Sequence, residues 1–157
     1  MTQLSGNQKR KMKSASRLYA VQALFQMEQS DAGLDRVRNE FLDYRFGAET
    51  PDGDEMVEGD IKLFSQILET AVSYQAKIDQ MTDRAIVAKW KIDRIDSVLR
   101  ALFRAAGAEF VETDTPPKVI IVEYMDVCTA FFPEGKEARF VNAVLDHMAR
   151  EARPEAF

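Results

Sequence analysis

The chain has 157 residues, of which 46% are hydrophobic and 30% charged, and its formal net charge is −5. This composition is typical of a globular domain, and the sequence predicts no transmembrane helix because no apolar run approaches the roughly 18 residues needed. The single cysteine, Cys128, excludes an intramolecular disulfide. Since no apolar signal segment follows the start either, we expect a cytoplasmic protein.

The charge is unevenly distributed along the chain. The first 27 residues hold five basic side chains and no acidic one, whereas the remaining 130 residues carry 16 Lys+Arg against 26 Asp+Glu, a balance of −10. The basic residues are Lys9, Arg10, Lys11, Lys13 and Arg17. A phosphate backbone responds to a local patch rather than to the whole-protein charge, so this end is a candidate nucleic-acid surface. A solvated tail and a mitochondrial-type transit segment are the alternatives.

Apolar residues at helical spacing from Leu18 to Phe25 predict a first helix. The basic residues are expected on its first turns and on a basic, flexible tail over residues 1–13. Ser30 and Asp31 predict the start of a second helix, because short oxygen-bearing side chains accept bonds from free N–H groups. Gly47 is expected to end that helix, and the Gly, Pro and Asp content of residues 47–54 predicts a loop.

The middle of the chain carries two further apolar stripes. The first runs from Val57 to Ile86 and fits either one long helix or two helices with a bend. Asp93 is expected to cap the next helix, whose face extends to Phe110. The break at residues 113–117 ends in prolines, which are tolerated in the first turn of a following helix.

The β-branched run Val119–Val122 would suit a strand. We favour a helix, because no second strand candidate exists to pair with it. A helix that is apolar on most sides predicts the buried centre of a bundle. Residues 132–137 predict the last loop and Phe140–Met148 a final helix, followed by a loose tail from Ala152. The total is six or seven helices in a compact all-α bundle.

Residues suited to catalysis are scarce. The chain has one histidine, His147, and no second histidine or cysteine with which to share a metal. It has no P-loop, no G-x-S-x-G and no G-x-G-x-x-G. We therefore expect no enzymatic activity, no cofactor, no metal and no small-molecule substrate.

Three segments resemble the NusB family of transcription antitermination factors. Residues 17–26 (RLYAVQALFQ) are similar to the family's arginine-led opening, and the segment from Phe103 to Phe110 to its L-R-x-A-x-Y-E-L motif. Residues 116–123 (PPKVIIVE), followed by FVN and VLD within residues 140–146, resemble P-x-K-V-x-I-N-E and F-V-N-G-V-L-D. The three segments occur in the order and at the spacing typical of the family, and the resemblance extends over nearly the whole chain.

The resemblance implies a single domain over residues 1–157, made of two packed helical subdomains at about 1–87 and 88–157. It implies binding to single-stranded boxA RNA of ribosomal RNA leaders, with NusE, a small-subunit ribosomal protein, in an antitermination complex on RNA polymerase. The residues it assigns to RNA are Lys13, Arg17 and their basic neighbours, together with Lys118 and Phe140. Without the resemblance, core packing is the expected role of Phe140.

The acidic remainder of the chain suits a basic ribosomal protein. Asp93, Asp96 and Leu99, at the start of the helix that Asp93 is expected to cap, are the predicted contacts with NusE. A helical protein–protein adaptor with a merely solubilising basic tail is the alternative function.

Overall fold

The computed structural model describes residues 5–44, 46, 60–86 and 95–157. Across these ranges it contains no strand and seven α-helices, which confirms the all-α prediction. A short 3-10 helix, Pro154–Ala156, follows the last of them. No helix in the described ranges is long and apolar enough to cross a membrane. The helices are α1 (Gly6–Ser30), α2 (Leu34–Tyr44), α3 (Ile61–Ser73), α4 (Gln75–Ala85), α5 (Ser97–Glu112), α6 (Pro117–Phe131) and α7 (Ala138–Ala152).

Helix α1 begins with a reciprocal capping box. The Ser5 hydroxyl accepts a hydrogen bond from the Gln8 backbone N–H at 3.1 Å, and the Gln8 side chain accepts one from the Ser5 N–H at 2.7 Å. Both bonds satisfy N–H groups that lack a partner at a helix start. Residues 6–13, which we predicted to be a flexible tail, therefore form the first two turns of the helix.

Helix α5 is the centre of the bundle. Ten of its sixteen residues are buried, and it packs against α1, α3, α4, α6 and α7. Small side chains allow this close packing: a Cβ atom built on Gly107 would lie 2.4 Å from Ile78 Cγ2 of α4. The prediction that the Val119–Val122 segment is helical is confirmed, but its placement at the centre is wrong. Val119 and Val122 are 44% and 61% exposed, because they lie on the side of α6 that faces away from α1, α5 and α7.

Several predicted helix boundaries are also corrected. Ser30 and Asp31 end α1 instead of starting α2, and Asp31 has the left-handed φ of 56° that is common just after a helix. Of the two alternatives for the stripe ending at Ile86, the structure shows the second: two helices, α3 and α4, meet at Tyr74. Asp96 caps α5 by accepting a hydrogen bond from the Val98 N–H at 2.7 Å. The predicted cap Asp93, the start of the stripe at Val57, and the loop at residues 47–54 lie outside the described residues.

The segment after Ala152, which we predicted to be loose, is held by Arg153. Its guanidinium donates hydrogen bonds to the backbone oxygens of Phe110 at 2.9 Å, Thr115 at 2.6 Å and Glu109 at 2.8 Å, and to that of Thr113. Because the last carbonyls of a helix have no partner within it, Arg153 acts as a cap for α5 and holds the turn that leads into α6.

Cys128 lies on the inner side of α6 with 2% of its surface exposed. Burial raises the pKa of its thiol, and the nearby charge of Glu137 adds to the effect. The prediction that this cysteine is a small buried apolar residue is confirmed.

Candidate nucleic-acid interface

Four basic side chains project from the first turns of α1 into solvent. Lys9, Arg10, Lys11 and Lys13 are all exposed, and none of their side chains forms an ion pair with another described residue. We call these four residues the basic cluster. Because their charges are not neutralised by carboxylates in the described parts of the chain, they are available to an external polyanion.

Arg17, the fifth basic residue of the predicted site, lies elsewhere. It is 3% exposed, and its guanidinium forms a two-pronged ion pair with Glu109 of α5, with Nε–Oε2 and Nη2–Oε1 distances of 2.7 and 3.0 Å. Its Nη1 atom lies 3.6 Å from Glu123 Oε1 of α6. This placement differs from the predicted contact with RNA, because the guanidinium is enclosed by the protein's own carboxylates.

The Arg17 pair is the centre of a buried network beneath the basic cluster. Burial by itself lowers the pKa of Arg17, but the hydrogen bond and charge of Glu109 raise it, so the guanidinium keeps its charge. The Glu123 carboxylate also accepts a hydrogen bond from the Ser14 hydroxyl at 2.8 Å. Tyr124, next to Glu123 in α6, is fully buried, and burial raises the pKa of its hydroxyl well above the ordinary value. The network joins α1 to α5 and α6 and so fixes the rotation of the helix that carries the cluster.

Lys118 is exposed on the first turn of α6. Lys13 of the basic cluster lines a polar pocket of about 260 Å³ that also includes Asp114 and Thr115, which lie just before α6. The structure therefore brings this end of the cluster close to the segment that leads into Lys118.

Phe140 lies on the first turn of α7 and is half-buried. Its ring meets Phe103 of α5 edge to face, with centroids 6.1 Å apart and an interplanar angle of 67°. The ring thus packs on the core and still exposes some of its surface, so a contact with RNA stays a prediction. Among the described residues, the aromatic contact of this ring is with Phe103, and no basic side chain lies over it.

Of the three residues predicted to contact a protein partner, only Asp96 is exposed in the described ranges, and its carboxylate is already the cap of α5. Leu99 is 6% exposed and packs in the core. Core packing is sufficient to explain a leucine at this position, with no need for a protein partner. Asp93 lies outside the described residues.

A groove between α1 and α6 was not foreseen from the sequence. It has a volume of about 550 Å³ and adjoins the basic cluster, two of whose residues line it. Its walls meet through residues about a hundred positions apart, such as Ser14 and Glu123, so no local pattern marks it. We call it the α1–α6 groove; its lining is Arg10, Lys11, Ser14, Ala15, Leu18, Tyr19, Glu123, Asp126, Val127 and Ala130.

A second concentration of charge lies where α1 ends. Arg100 donates to Glu28 at 3.0 Å, and Arg104 donates to Asp79 at 2.8 Å. The hydrogen bond from Arg100 is the main reason that the pKa of Glu28 is lowered. These charges neutralise one another, so this cluster is suited to joining α1, α4 and α5 and not to binding a polyanion.

A sequence model of the NusB family matches residues 14–150. The transcription antitermination protein NusB of Maricaulis maris is 42% identical over 150 residues, which are 94% of this chain and 91% of that protein. The crystal structure of T. maritima NusB has a TM-score of 0.71 at 26% identity, and the match covers 92% of this chain and 95% of that one. A structure of antitermination factors NusB and NusE in complex with dsRNA shares the fold, with a TM-score of 0.69 at 19% identity over 88% of this chain and 96% of its own.

Proposed function

Because this chain belongs to the NusB family, we propose that it is an RNA-binding transcription antitermination factor. The observation that carries the proposal is the basic cluster, four exposed cations that have no carboxylate partner in the described parts of an otherwise acidic chain. Binding of single strands needs a positively charged surface that follows the backbone and rings on which bases stack. The proposed ligand is boxA RNA of ribosomal RNA leader transcripts.

The proposed protein partner is NusE, and the pair acts in the antitermination complex on RNA polymerase. A related NusB has been solved with NusE and double-stranded RNA, which supports this assignment. The balance of −10 outside the first 27 residues suits a basic partner. The activity is binding and not catalysis, and its place is the cytoplasm, where the RNA polymerase works.

The proposed RNA surface consists of the basic cluster, Lys118 and the exposed part of Phe140. Arg17 is assigned a positioning role, because it holds α1 in place through Glu109 instead of meeting the RNA. For NusE, Asp96 remains a candidate contact, whereas Leu99 is assigned to the core.

A titration with RNA in the presence and absence of NusE tests the function. We expect single-stranded boxA RNA to bind more tightly than its duplex, and the pair with NusE to bind more tightly than either protein alone. NusE binding without any RNA binding would favour the adaptor function. Gel filtration that shows no complex with NusE at micromolar concentrations would contradict the partner assignment.

Removing the basic cluster should flatten the salt dependence of RNA binding. Each phosphate contacted on a single strand contributes about 0.7 to the slope of log affinity against log salt. If all four side chains contact phosphate, replacing them with glutamine should reduce the magnitude of the slope by about 2.8. Lys77→Gln, on the exposed side of α4, is the control and should leave the slope unchanged. An unaltered slope in the fourfold variant would favour the solvated-tail interpretation.

Phe140→Ala should weaken RNA binding by about 1–3 kcal/mol, the range for loss of base–aromatic stacking. The loss in the free energy of unfolding should be smaller than the roughly 3–5 kcal/mol of a fully buried phenylalanine, because the ring is half-buried. Phe140→Leu is the matched control: it keeps apolar contact with Phe103 but removes the aromatic face. Equal RNA affinity for the wild type and both variants would remove Phe140 from the site.

A further inference from the structure

The α1–α6 groove has an apolar interior. Ala15 and Leu18 of α1 and Val127 of α6 form its walls, with Tyr19 almost fully buried behind them. At about 550 Å³ it falls within the size range of pockets that enclose small molecules. An apolar slot of this size can accept a flat ring, and an unstacked RNA base is such a ring.

The rim of the groove on the α1 side is positively charged. Arg10 and Lys11 belong to the basic cluster and line the groove, and neither forms an ion pair with another described residue. A phosphate bound by these two side chains would place its own nucleotide over the groove. The groove is therefore continuous with the proposed RNA surface.

The rim on the α6 side carries two carboxylates, of which one is bound by other side chains of the protein and one is exposed. Glu123 is held within the fold by Ser14 and Arg17. Asp126 is exposed, and its carboxylate has no hydrogen-bond or ion-pair partner in the described parts of the chain. A free carboxylate repels phosphate, but it is a strong acceptor for the N–H groups of a base.

Of the four RNA bases, guanine matches a carboxylate best. Its Watson–Crick edge presents two adjacent N–H donors, at N1 and N2, which fit the two oxygens of one carboxylate. Adenine and cytosine present one amino group beside an acceptor nitrogen, and uracil one N–H between two carbonyls. We propose that the α1–α6 groove holds one unstacked guanine of the bound RNA and that Asp126 accepts hydrogen bonds from its Watson–Crick edge. This inference rests on the proposed RNA-binding function and adds a base-specific pocket to it.

The test uses short uridine oligonucleotides with a single guanosine scanned through every position, and matched oligonucleotides with inosine, which lacks the N2 amino group. For the wild-type protein we expect the best guanosine oligonucleotide to bind about tenfold more tightly than its inosine counterpart, within the range for recognition of one base by a two-pronged contact. In Asp126→Asn this preference should fall to about twofold or less. Asp43→Asn, at an exposed acid of α2, is the control and should keep the preference.

The opposite result is equally definite. If Asp126 only repels the backbone, the wild type will show no guanosine preference, and Asp126→Asn will bind every oligonucleotide more tightly by the same factor. That outcome overturns the base pocket and leaves RNA binding intact. Failure of every oligonucleotide and of boxA RNA to bind would instead refute the proposed function.

Filling the groove gives a second, independent measurement. Ala15→Leu should abolish the guanosine preference while the salt dependence from the basic cluster remains. Ala76→Leu, at an exposed alanine of α4, should do neither. Thermal melting of each variant establishes that it is folded. Loss of NusE binding in Ala15→Leu with the guanosine preference retained would assign the groove to a protein segment and overturn the proposal.

Discussion

Replacing Glu109 with leucine should lower the free energy of unfolding by about 3–5 kcal/mol, the range for removing one partner of a buried ion pair. Glu109 is fully buried and Arg17 is 3% exposed, so the variant leaves a guanidinium in the core that, among the described residues, only the more distant Glu123 balances. Urea or thermal unfolding measures the loss.

The double variant Arg17→Met/Glu109→Leu distinguishes two causes of the lost stability: an uncompensated charge in the core and the loss of side-chain packing. Replacing both members of a buried pair by apolar residues of similar volume is often neutral or stabilising, so most of the stability should return. The same variant tests the positioning role of Arg17: RNA affinity close to the wild type is expected, because the basic cluster is intact. A refolded double variant with severely reduced RNA affinity would return Arg17 to the RNA surface. A Glu109→Leu variant as stable as the wild type would contradict the importance of the pair.

Replacing Arg153 with alanine should cost about 3 kcal/mol of unfolding free energy. Its guanidinium serves four backbone oxygens around the end of α5, and a hydrogen bond from a charged donor contributes about 1.5–3 kcal/mol. The four bonds share one side chain, so their values do not add, and the upper end of the single-bond range is the appropriate estimate.

Arg153→Lys is the matched control for this cap. Lysine keeps the positive charge near the helix end but lacks the planar fork, so it should recover only part of the loss. Truncation after residue 152 should destabilise the protein about as much as Arg153→Ala. A truncated protein with the melting temperature of the full chain would mean that the segment after Ala152 is as loose as its sequence suggests.

The sequence predicted which segments are helical better than it predicted how deeply each helix is buried. Apolar spacing identifies the helix at Val119–Val122, yet it cannot tell a central helix from one whose outer side is apolar, and α6 exposes both valines. The centre is α5, which is less hydrophobic than α6. Its alanines and Gly107 are small, so neighbouring helices can approach it closely.

The candidate site shows the same limit. Local charge was enough to identify the basic cluster, because its lysines and its arginine stand in one short segment of the sequence that contains no acid. Arg17 belongs to the same run, and its separate role depends on Glu109, which lies 92 positions away. Contacts of that kind, like those that form the α1–α6 groove, exist only after the helices have packed.

The position of Cys128 makes the natural protein a convenient starting material for spectroscopy. Thiol reagents react with the thiolate. Cys128 is the only cysteine in the sequence, its side chain is buried, and burial raises the pKa of its thiol, so little thiolate forms. A maleimide dye or a nitroxide will consequently attach to a cysteine introduced at exposed Asn7, beside the basic cluster, with little background from the rest of the molecule.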